Sequence, residues 1–139
     1  MILGPWFSGE ADMDRLVRSD HFYNFEKEFQ FEEYFNGDRT VFDLKLNPSG
    51  TDFQKKVWDA LLQIPFGKTI SYLELSKQLG DVKAIRAVAS ANGKNPLWIV
   101  VPCHRVIGTN GDLTGYAGGL HRKKWLLEHE SPVKQTALF

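Results

Sequence analysis

Between residues 51 and 93 the chain carries start and stop signals for three short helices, which leaves few alternatives for its fold. Thr51 and Ser71 each stand three residues before a glutamine or a glutamate, the spacing of a capping box at a helix N-terminus. Gly80 and Gly93 follow the second and third apolar patterns, where glycine favours the end of a helix. Asp81 directly follows Gly80 and can act as the N-cap of the third helix. A compact, mostly helical domain is therefore predicted for this part of the chain.

The second and third of these helices, joined by a glycine-aspartate turn, predict a helix-turn-helix-like motif. An ordinary corner of two helices is the commoner alternative. The third helix, over residues 82–92, presents small side chains and one long basic side chain, Arg86. A small-residue surface allows close approach either to a neighbouring helix or to a narrow partner, and an arginine among alanines fits a narrow electronegative groove.

The tetrapeptide at residues 47–50, Asn-Pro-Ser-Gly, predicts a boundary between two parts of opposite charge. Residues 1–48 hold five Lys or Arg and ten Asp or Glu, whereas residues 49–139 hold twelve and seven. The basic second part indicates an anionic partner, although many solvated surfaces are mildly basic. We expect a small N-terminal domain over residues 1–48, a second domain over 49–131 and a tail over 132–139.

The N-terminal part gives weaker signals. A helical turn is predicted at residues 13–18, and a helix from Asn24, as its cap, to Gly37, as its stop. Alternation over residues 40–46 predicts a half-buried strand. The apolar side chains expected to face inward are Phe25, Phe29, Tyr34 and Phe35 of the helix and Phe42, Leu44 and Leu46 of the strand.

After the three helices, residues 95–102 form an apolar run bounded by prolines, which predicts a buried strand. Five glycines within residues 108–119 predict a loop beside it, which we call the glycine-rich loop. A last helix is expected over residues 121–130, with Trp125 and Leu126 facing the core. Taken together, the elements predict an α+β protein, with a small α/β N-terminal domain ahead of a mostly helical, winged helix-turn-helix-like domain.

Cys103 is the only cysteine of the chain, so neither an internal disulfide nor a cysteine-rich zinc site can form. This usage is typical of a reducing compartment, the cytoplasm or, in a eukaryote, the nucleus. No apolar run approaches the roughly 18 residues of a membrane span, and the N-terminus has no pattern of a signal peptide. A lone cysteine is most often a buried, inert side chain.

His104 directly follows Cys103, and this pairing offers a base for the thiol. Adjacent side chains of an extended chain point to opposite faces, so a hydrogen bond between them needs a turn or a bridging water. We favour the water, with Glu130 orienting the histidine. The alternative is a surface histidine beside a buried thiol.

An ordered series of motifs over residues 50–130 resembles the O6-alkylguanine-DNA alkyltransferases, the methylated-DNA–protein-cysteine methyltransferases. The stretch Glu33-Tyr34-Phe35-x-Gly37 resembles them weakly. Because typical members carry a longer N-terminal domain, the resemblance implies that the one expected here is shortened. In chain order, the stronger motifs are Phe53-Gln54, Val57-Trp58, Ile64-Pro65-x-Gly67-x-Thr69-x-Ser71-Tyr72, Arg86-Ala87-Val88, Ala91-Asn92-Gly93, Asn95-Pro96, Pro102-Cys103-His104-Arg105-Val106, Gly115-Tyr116-x-Gly118-Gly119 and Trp125-Leu126-Leu127-x-x-Glu130.

The resemblance implies catalytic roles for five residues. Cys103 would accept the alkyl group, and His104 would take its proton through a water while Glu130 polarises the imidazole. Asn95 would hold the loop that carries the cysteine. Tyr72 would act at the phosphate of the target base and help to protonate the leaving guanine.

The resemblance also implies a DNA surface and a base pocket. Arg86 would occupy the space of the extruded nucleotide, on a helix-turn-helix placed in the minor groove. Trp98 stands where relatives often have a smaller residue, so it either restricts bulky alkyl groups or simply packs. The other residues implied are Ala87, Ser90 and Ser71 at the DNA, and Tyr116, Gly118, Gly119 and Val106 at the base.

The predicted function is therefore repair of double-stranded DNA carrying O6-alkylguanine, with O4-alkylthymine as a second candidate substrate. The nucleotide must be flipped out of the stack. Because Cys103 has no second thiol to release the product, one chain should react once, as a monomer and without a cofactor or metal. The alternatives are a relative that binds alkylated guanine without repair, a winged-helix regulator with an incidental thiol, and a cysteine hydrolase. Relatives that bind alkylated guanine without repairing it usually lack the acceptor cysteine.

Overall fold

The computed structural model describes residues 27–132, and the expectations for residues 13–18, Asn24, Phe25 and most of the tail lie outside this range. Within it, the predicted α+β class is confirmed. The helices are α1 (Lys27–Phe35), α2 (Asp52–Leu61), α3 (Tyr72–Gln78), α4 (Ile85–Gly93) and α5 (Leu120–Glu130). Two short strands, β1 (Ile70–Ser71) and β2 (Val106–Ile107), and two 3₁₀ turns, Val82–Ala84 and Cys103–Arg105, complete the elements.

The predicted helix caps are present at α2 and α3. The Thr51 hydroxyl accepts a hydrogen bond from the backbone N–H of Gln54 at 3.1 Å, and the side-chain oxygen of Gln54 accepts one from the backbone N–H of Thr51 at 2.9 Å. The Ser71 hydroxyl accepts from the N–H of Glu74 at 3.0 Å. Because these side chains satisfy donors that a helix leaves open at its start, they fix where α2 and α3 begin.

A turn at Gly80 and Asp81 joins α3 to the segment that contains α4. Gly80 has φ +88°, a conformation that glycine adopts without strain. The Asp81 carboxylate accepts from the N–H of Lys83 at 2.9 Å and starts the 3₁₀ turn that leads into α4. The predicted third helix therefore exists, but its first turn is 3₁₀.

The sheet was not predicted, and it connects two parts of the chain that matter below. β1 and β2 run parallel, with Ile70 opposite Val106 and Ser71 opposite Ile107. β1 leads directly into α3, whereas β2 directly follows the turn that contains Cys103. The short ladder thus holds the start of α3 beside the cysteine.

The buried face of α1 differs from the predicted one. Phe31, Tyr34 and Phe35 are buried, whereas Phe29 is 60% exposed. The helix turns Gln30 inward because its side-chain amide forms two hydrogen bonds with the backbone of Asp43, at 2.8 and 2.9 Å. The apolar spacing of the helix that begins after Thr51 predicts inward positions for Phe53, Val57, Trp58, Leu61 and Leu62. Val57, Trp58 and Leu61 are buried, but Phe53 and Leu62 are exposed.

The strand predicted over residues 40–46 is not formed within the described residues. The alternation is correct, since Phe42, Leu44 and Leu46 are half-buried and the residues between them are exposed. Among residues 40–46, Leu46 alone takes part in an isolated β-bridge. The Gln30 amide occupies both backbone groups of Asp43, which a strand would need for its ladder.

The strand predicted over residues 95–102 is wrong. This buried segment is a series of tight turns, in which the N–H of Val100 bonds to the carbonyl of Trp98 at 2.9 Å and that of Val101 to Leu97 at 3.0 Å. Ile99 lies at φ +75° between them. The prolines at its ends and the apolar run predicted burial correctly, but burial alone does not distinguish a strand from a compact loop.

None of the helices within residues 27–132 combines the length and apolar character that crossing a membrane requires.

Gly50 gives a test of this packing. A Cβ at this position would lie 2.5 Å from the Trp58 ring, and the ring is held because its N–H donates to the carbonyl of Ala91 at 2.8 Å. We expect Gly50→Ala to lower the free energy of unfolding by about 1–3 kcal/mol. Gly93→Ala, where a Cβ meets nothing within 4 Å, should leave it unchanged or raise it by up to about 1 kcal/mol. Equal values for the two variants in urea denaturation would contradict this packing.

Candidate active site

Cys103 begins a 3₁₀ turn and is buried, with 4% of its surface exposed. Burial raises the pKa of its thiol to about 11, although the Asn95 side chain and the positive charge of Lys123 oppose the rise. The resting side chain is therefore a thiol at neutral pH. Nucleophilic chemistry at this sulfur requires a group that takes its proton.

Asn95 forms a clasp around the loop ahead of the cysteine. Its amide nitrogen donates to the carbonyl of Val101 at 2.7 Å, and its carbonyl oxygen accepts from the N–H of Leu97 at 3.0 Å. The clasp closes over Ile99, whose positive φ is a strained conformation for a β-branched residue. The two hydrogen bonds hold this strained turn in place and so set the position of Cys103.

His104 lies in the same turn as Cys103, and it is completely buried. Its Nε2 lies 2.9 Å from Oε2 of Glu130. A carboxylate only accepts hydrogen bonds, so Nε2 carries the proton and Nδ1 of the neutral ring is an acceptor. Nδ1 has no hydrogen-bond partner among the described residues. Burial lowers the pKa of His104, while the neighbouring Glu130 opposes that change.

Glu130 ends α5 and accepts hydrogen bonds from three side chains. Arg105 reaches both oxygens, with Nε at 2.7 Å from Oε1 and a terminal nitrogen at 2.9 Å from Oε2, and the Tyr34 hydroxyl donates to Oε2 at 2.6 Å. Burial alone would raise the pKa of Glu130, but His104 and Arg105 outweigh it and hold the pKa well below its usual range. Glu130 is therefore ionised at neutral pH.

Arg105 and Tyr34 were not predicted as site residues. Arg105 belongs to the motif around the cysteine. Its position next to His104 is the sequence feature that could have identified it as a site residue. It also donates to the carbonyl of Ile64 at 2.7 Å, which ties the site to the end of α2. Tyr34 stands 96 positions before Glu130, and no spacing rule connects residues so far apart.

Tyr72 and Asn92 connect the site to α3 and α4. The amide nitrogen of Asn92 lies 3.4 Å from the Tyr72 hydroxyl and 3.3 Å from the carbonyl of Cys103. The hydroxyl also lies 3.5 Å from the carbonyl of Thr114. Burial raises the pKa of Tyr72, so its hydroxyl is protonated at neutral pH and can donate a proton. The sequence pattern did not single out Asn92, because it forms part of a helix motif.

Lys123 is a buried cation close to the thiol, and it too was missed. Its ammonium group donates to the carbonyls of Val106 and Thr114, each at 2.7 Å. Burial lowers its pKa to about 8, while the electrostatic effect of Cys103 opposes that change. The bonds hold the glycine-rich loop against β2.

A cavity of about 550 Å³ opens between α4 and the glycine-rich loop. Tyr72, Arg86 and Tyr116 line it, so the structure brings together three residues that were predicted for different roles. The remaining lining residues are Ile85, Ala89, Gly93, Gly108, Thr109, Thr114 and Gly115.

The other predicted pocket residues are not among those that line this cavity. Trp98 packs on the Tyr116 ring with centroids 5.6 Å apart. Gly118 is buried against both rings, and a Cβ there would lie 2.8 Å from Tyr116. Gly119 has φ +95° and precedes α5, and Val106 is fully buried. Of the predicted DNA contacts, Ala87 and Ser90 are exposed on α4, and Ser71 caps α3.

Within residues 27–132, no group of three or more His, Cys, Asp or Glu side chains could hold a metal ion.

Residues 52–132 match the family model of the DNA-binding domain of 6-O-methylguanine DNA methyltransferase. This range is more than half of the chain, and it includes Cys103, His104 and Glu130. The chain belongs to the O6-methylguanine DNA methyltransferase family. The predicted resemblance and the predicted class, methylated-DNA–protein-cysteine methyltransferase, are thereby confirmed at the level of the family.

Individual members of the methyltransferase family show the extent of the likeness. A methylated-DNA–protein-cysteine methyltransferase of Methanosarcina acetivorans is 53% identical over 84% of this chain and 74% of its own length. One of Mycobacterium tuberculosis is 57% identical over 73% of this chain and 61% of its own. The crystal structure of Mycobacterium tuberculosis OGT in complex with DNA superposes with a TM-score of 0.72 at 53% identity, covering 80% of this chain and 71% of the other.

The charged cluster at Glu130 predicts a dependence of stability on pH. Because its folded-state pKa is depressed, Glu130 stabilises the fold above its ordinary pKa of about 4.3, and this contribution is lost as the pH falls further. We expect Glu130→Gln to lower the free energy of unfolding at pH 7 by about 3 kcal/mol, since Arg105 is left buried without its anion. The loss of stability below about pH 4.3 should be shallower in the variant.

Glu33→Gln is the matched control. Glu33 pairs with Arg39 at 2.8 Å, but both side chains are partly exposed, so its loss should cost less than about 1 kcal/mol. Urea denaturation at a series of pH values measures both variants. The same pH dependence in Glu130→Gln and the wild type would contradict the role assigned to this carboxylate.

Proposed function

We propose that this protein repairs DNA by moving the alkyl group of O6-alkylguanine to the sulfur of Cys103, once per molecule. The observation that carries the proposal is one turn of the chain that contains both the buried thiol and His104, whose Nε2 is bound to Glu130 at 2.9 Å. This hydrogen bond leaves Nδ1 as the proton acceptor of the pair.

The reaction is a displacement at the alkyl carbon. Nδ1 of His104 takes the thiol proton through one water, and the thiolate forms a carbon–sulfur bond as the bond from carbon to the guanine oxygen breaks. The electron pair of that bond goes to the guanine, and the Tyr72 hydroxyl supplies the proton that neutralises it. The product is a thioether, and the chain has no second cysteine that could act on it. The reaction is therefore stoichiometric and needs no cofactor.

The DNA surface of this proposal is the pair α3 and α4, used as a helix-turn-helix in the minor groove. Support comes from the small exposed side chains of α4, Ala87 and Ser90, which allow close approach to a narrow groove. Arg86 is exposed and lines the 550 Å³ cavity, and its side chain would fill the space left in the base stack when the nucleotide is extruded. Tyr116 would then line the face of the flipped base.

A lesion-binding protein without repair activity is the second candidate, and it shares this DNA surface. The buried thiol beside His104 favours transfer over binding alone. O4-alkylthymine is the further candidate substrate, because its alkylated oxygen has the same chemistry. We infer a monomer that acts in the cytoplasm, or in the nucleus of a eukaryote, where its DNA lies.

Cys103→Ala separates transfer from binding. The variant loses the acceptor atom, so methyl transfer from a duplex with one O6-methylguanine should disappear, while affinity for that duplex stays within about threefold because no DNA contact is removed. Labelled methyl groups measure the transfer, and fluorescence anisotropy measures the affinity. Transfer at the wild-type rate in Cys103→Ala would refute the acceptor assignment.

Arg86→Ala tests extrusion. At saturating protein, the variant should react at least about tenfold more slowly with duplex DNA, since an arginine no longer replaces the flipped nucleotide, but normally with a free O6-alkylguanine base. Lys83→Ala removes one exposed charge from the neighbouring turn. It should weaken DNA binding without lowering the rate of alkyl transfer in the bound complex. Equal loss on both substrates in Arg86→Ala would remove it from this role.

Trp98→Ala tests the size of the pocket. Removing the ring that supports Tyr116 opens space, so the ratio of benzyl to methyl transfer should rise about tenfold relative to the wild type. Competition between the two free bases measures this ratio. An unchanged ratio, with both rates lowered, would mean that Trp98 only packs against Tyr116.

A further inference from the structure

Tyr34 brings a hydroxyl from outside the matched domain into the catalytic cluster. The residue lies in α1, whereas the family match begins at residue 52. Its side chain is fully buried, and its hydroxyl donates to Oε2 of Glu130 at 2.6 Å. Burial, followed by the nearby charge of Glu130, raises the pKa of Tyr34 well above its ordinary value. The hydroxyl therefore remains a donor at neutral pH.

The ring of Tyr34 is fixed from several sides. The rings of Phe42 and Phe66 lie with centroids 5.5 and 6.2 Å away, and that of His129 lies at 5.0 Å. Nε2 of His129 also donates to the backbone carbonyl of Tyr34 at 2.7 Å. These contacts leave the hydroxyl little freedom to move away from Glu130.

The oxygen that receives this hydrogen bond is the one that holds His104. Oε2 of Glu130 accepts from Tyr34, from Nε2 of His104 and from a terminal nitrogen of Arg105. Each donor withdraws part of the negative charge of the carboxylate. A carboxylate shared in this way stabilises a positive charge on His104 less than an unshared one would.

We propose that Tyr34 is a positioning residue, which holds Oε2 of Glu130 in place and limits its attraction for a second proton on His104. The imidazole thereby stays neutral, with Nδ1 ready to accept the proton of Cys103. The consequence for catalysis rests on the proposed alkyl transfer. The titratable or charged groups around this pair are Cys103, Arg105, Tyr116, Lys123 and His129.

The first test measures His104 in the free protein, without any substrate. Nitrogen NMR of the imidazole over a pH series should give a His104 pKa that is higher in Tyr34→Phe by about half a unit or more, because Glu130 loses one competing donor. Phe31→Leu is the matched control, since it alters the packing of the same helix, against Phe42, but removes no hydroxyl. Its His104 titration should match the wild type.

A substituted tyrosine gives a test in the opposite direction. Placing 3-fluorotyrosine at position 34 makes the hydroxyl a stronger donor and should lower the His104 pKa. This arm also decides the question if Tyr34→Phe fails to fold. Titrations that coincide in all variants, or a His104 that remains neutral down to pH 5 in all of them, would overturn the proposal.

The second test follows alkyl transfer from a free O6-alkylguanine base as a function of pH. The acidic limb of the rate should move to higher pH in Tyr34→Phe by the same amount as the His104 titration, with the rate above that limb within about threefold of the wild type. A lower rate with an unshifted limb would overturn the proposal. If the wild type transfers no alkyl group at all, the proposed function fails, and the NMR result still decides the role of Tyr34.

Discussion

The carboxylate of Glu130 is the interaction on which the rest of the site depends. It is buried at the end of α5 and receives hydrogen bonds from Tyr34, His104 and Arg105. A buried carboxylate is costly unless it is fully paired, and here the pairing joins α1, the cysteine turn and α5. The same contacts fix the tautomer of His104. Folding energy and proton chemistry therefore rest on the same three contacts.

Local signals predicted much of the fold because they act over a few residues. The caps at Thr51, Ser71 and Asp81 are present, since each side chain satisfies a backbone donor two or three positions away. The predictions of secondary structure are wrong where a residue distant in the sequence supplies the hydrogen bonds. The Gln30 amide uses the backbone of Asp43, which prevents a ladder there and turns α1 onto a different face.

In the candidate site, too, local motifs identified some residues, whereas those that depend on contacts distant in the sequence were missed. Cys103 and His104 were found because they are adjacent in a motif. The clasp of Asn95 over the strained Ile99 explains why the run ahead of the cysteine is a loop and not a strand, and apolar composition carries no information about such a clasp. Tyr34 and Lys123 were missed because a tyrosine in an amphipathic helix and a lysine in a charged helix are usually ordinary surface or core residues.

The central claim is that one sulfur atom keeps the alkyl group. Intact-mass measurement of the protein after mixing with an excess of duplex DNA containing O6-methylguanine tests it most directly, followed by mapping of the modified peptide. We expect a single added methyl group, located on Cys103, and no further repair by the modified molecules. An unchanged protein mass, or repair of many lesions by each molecule, would contradict it.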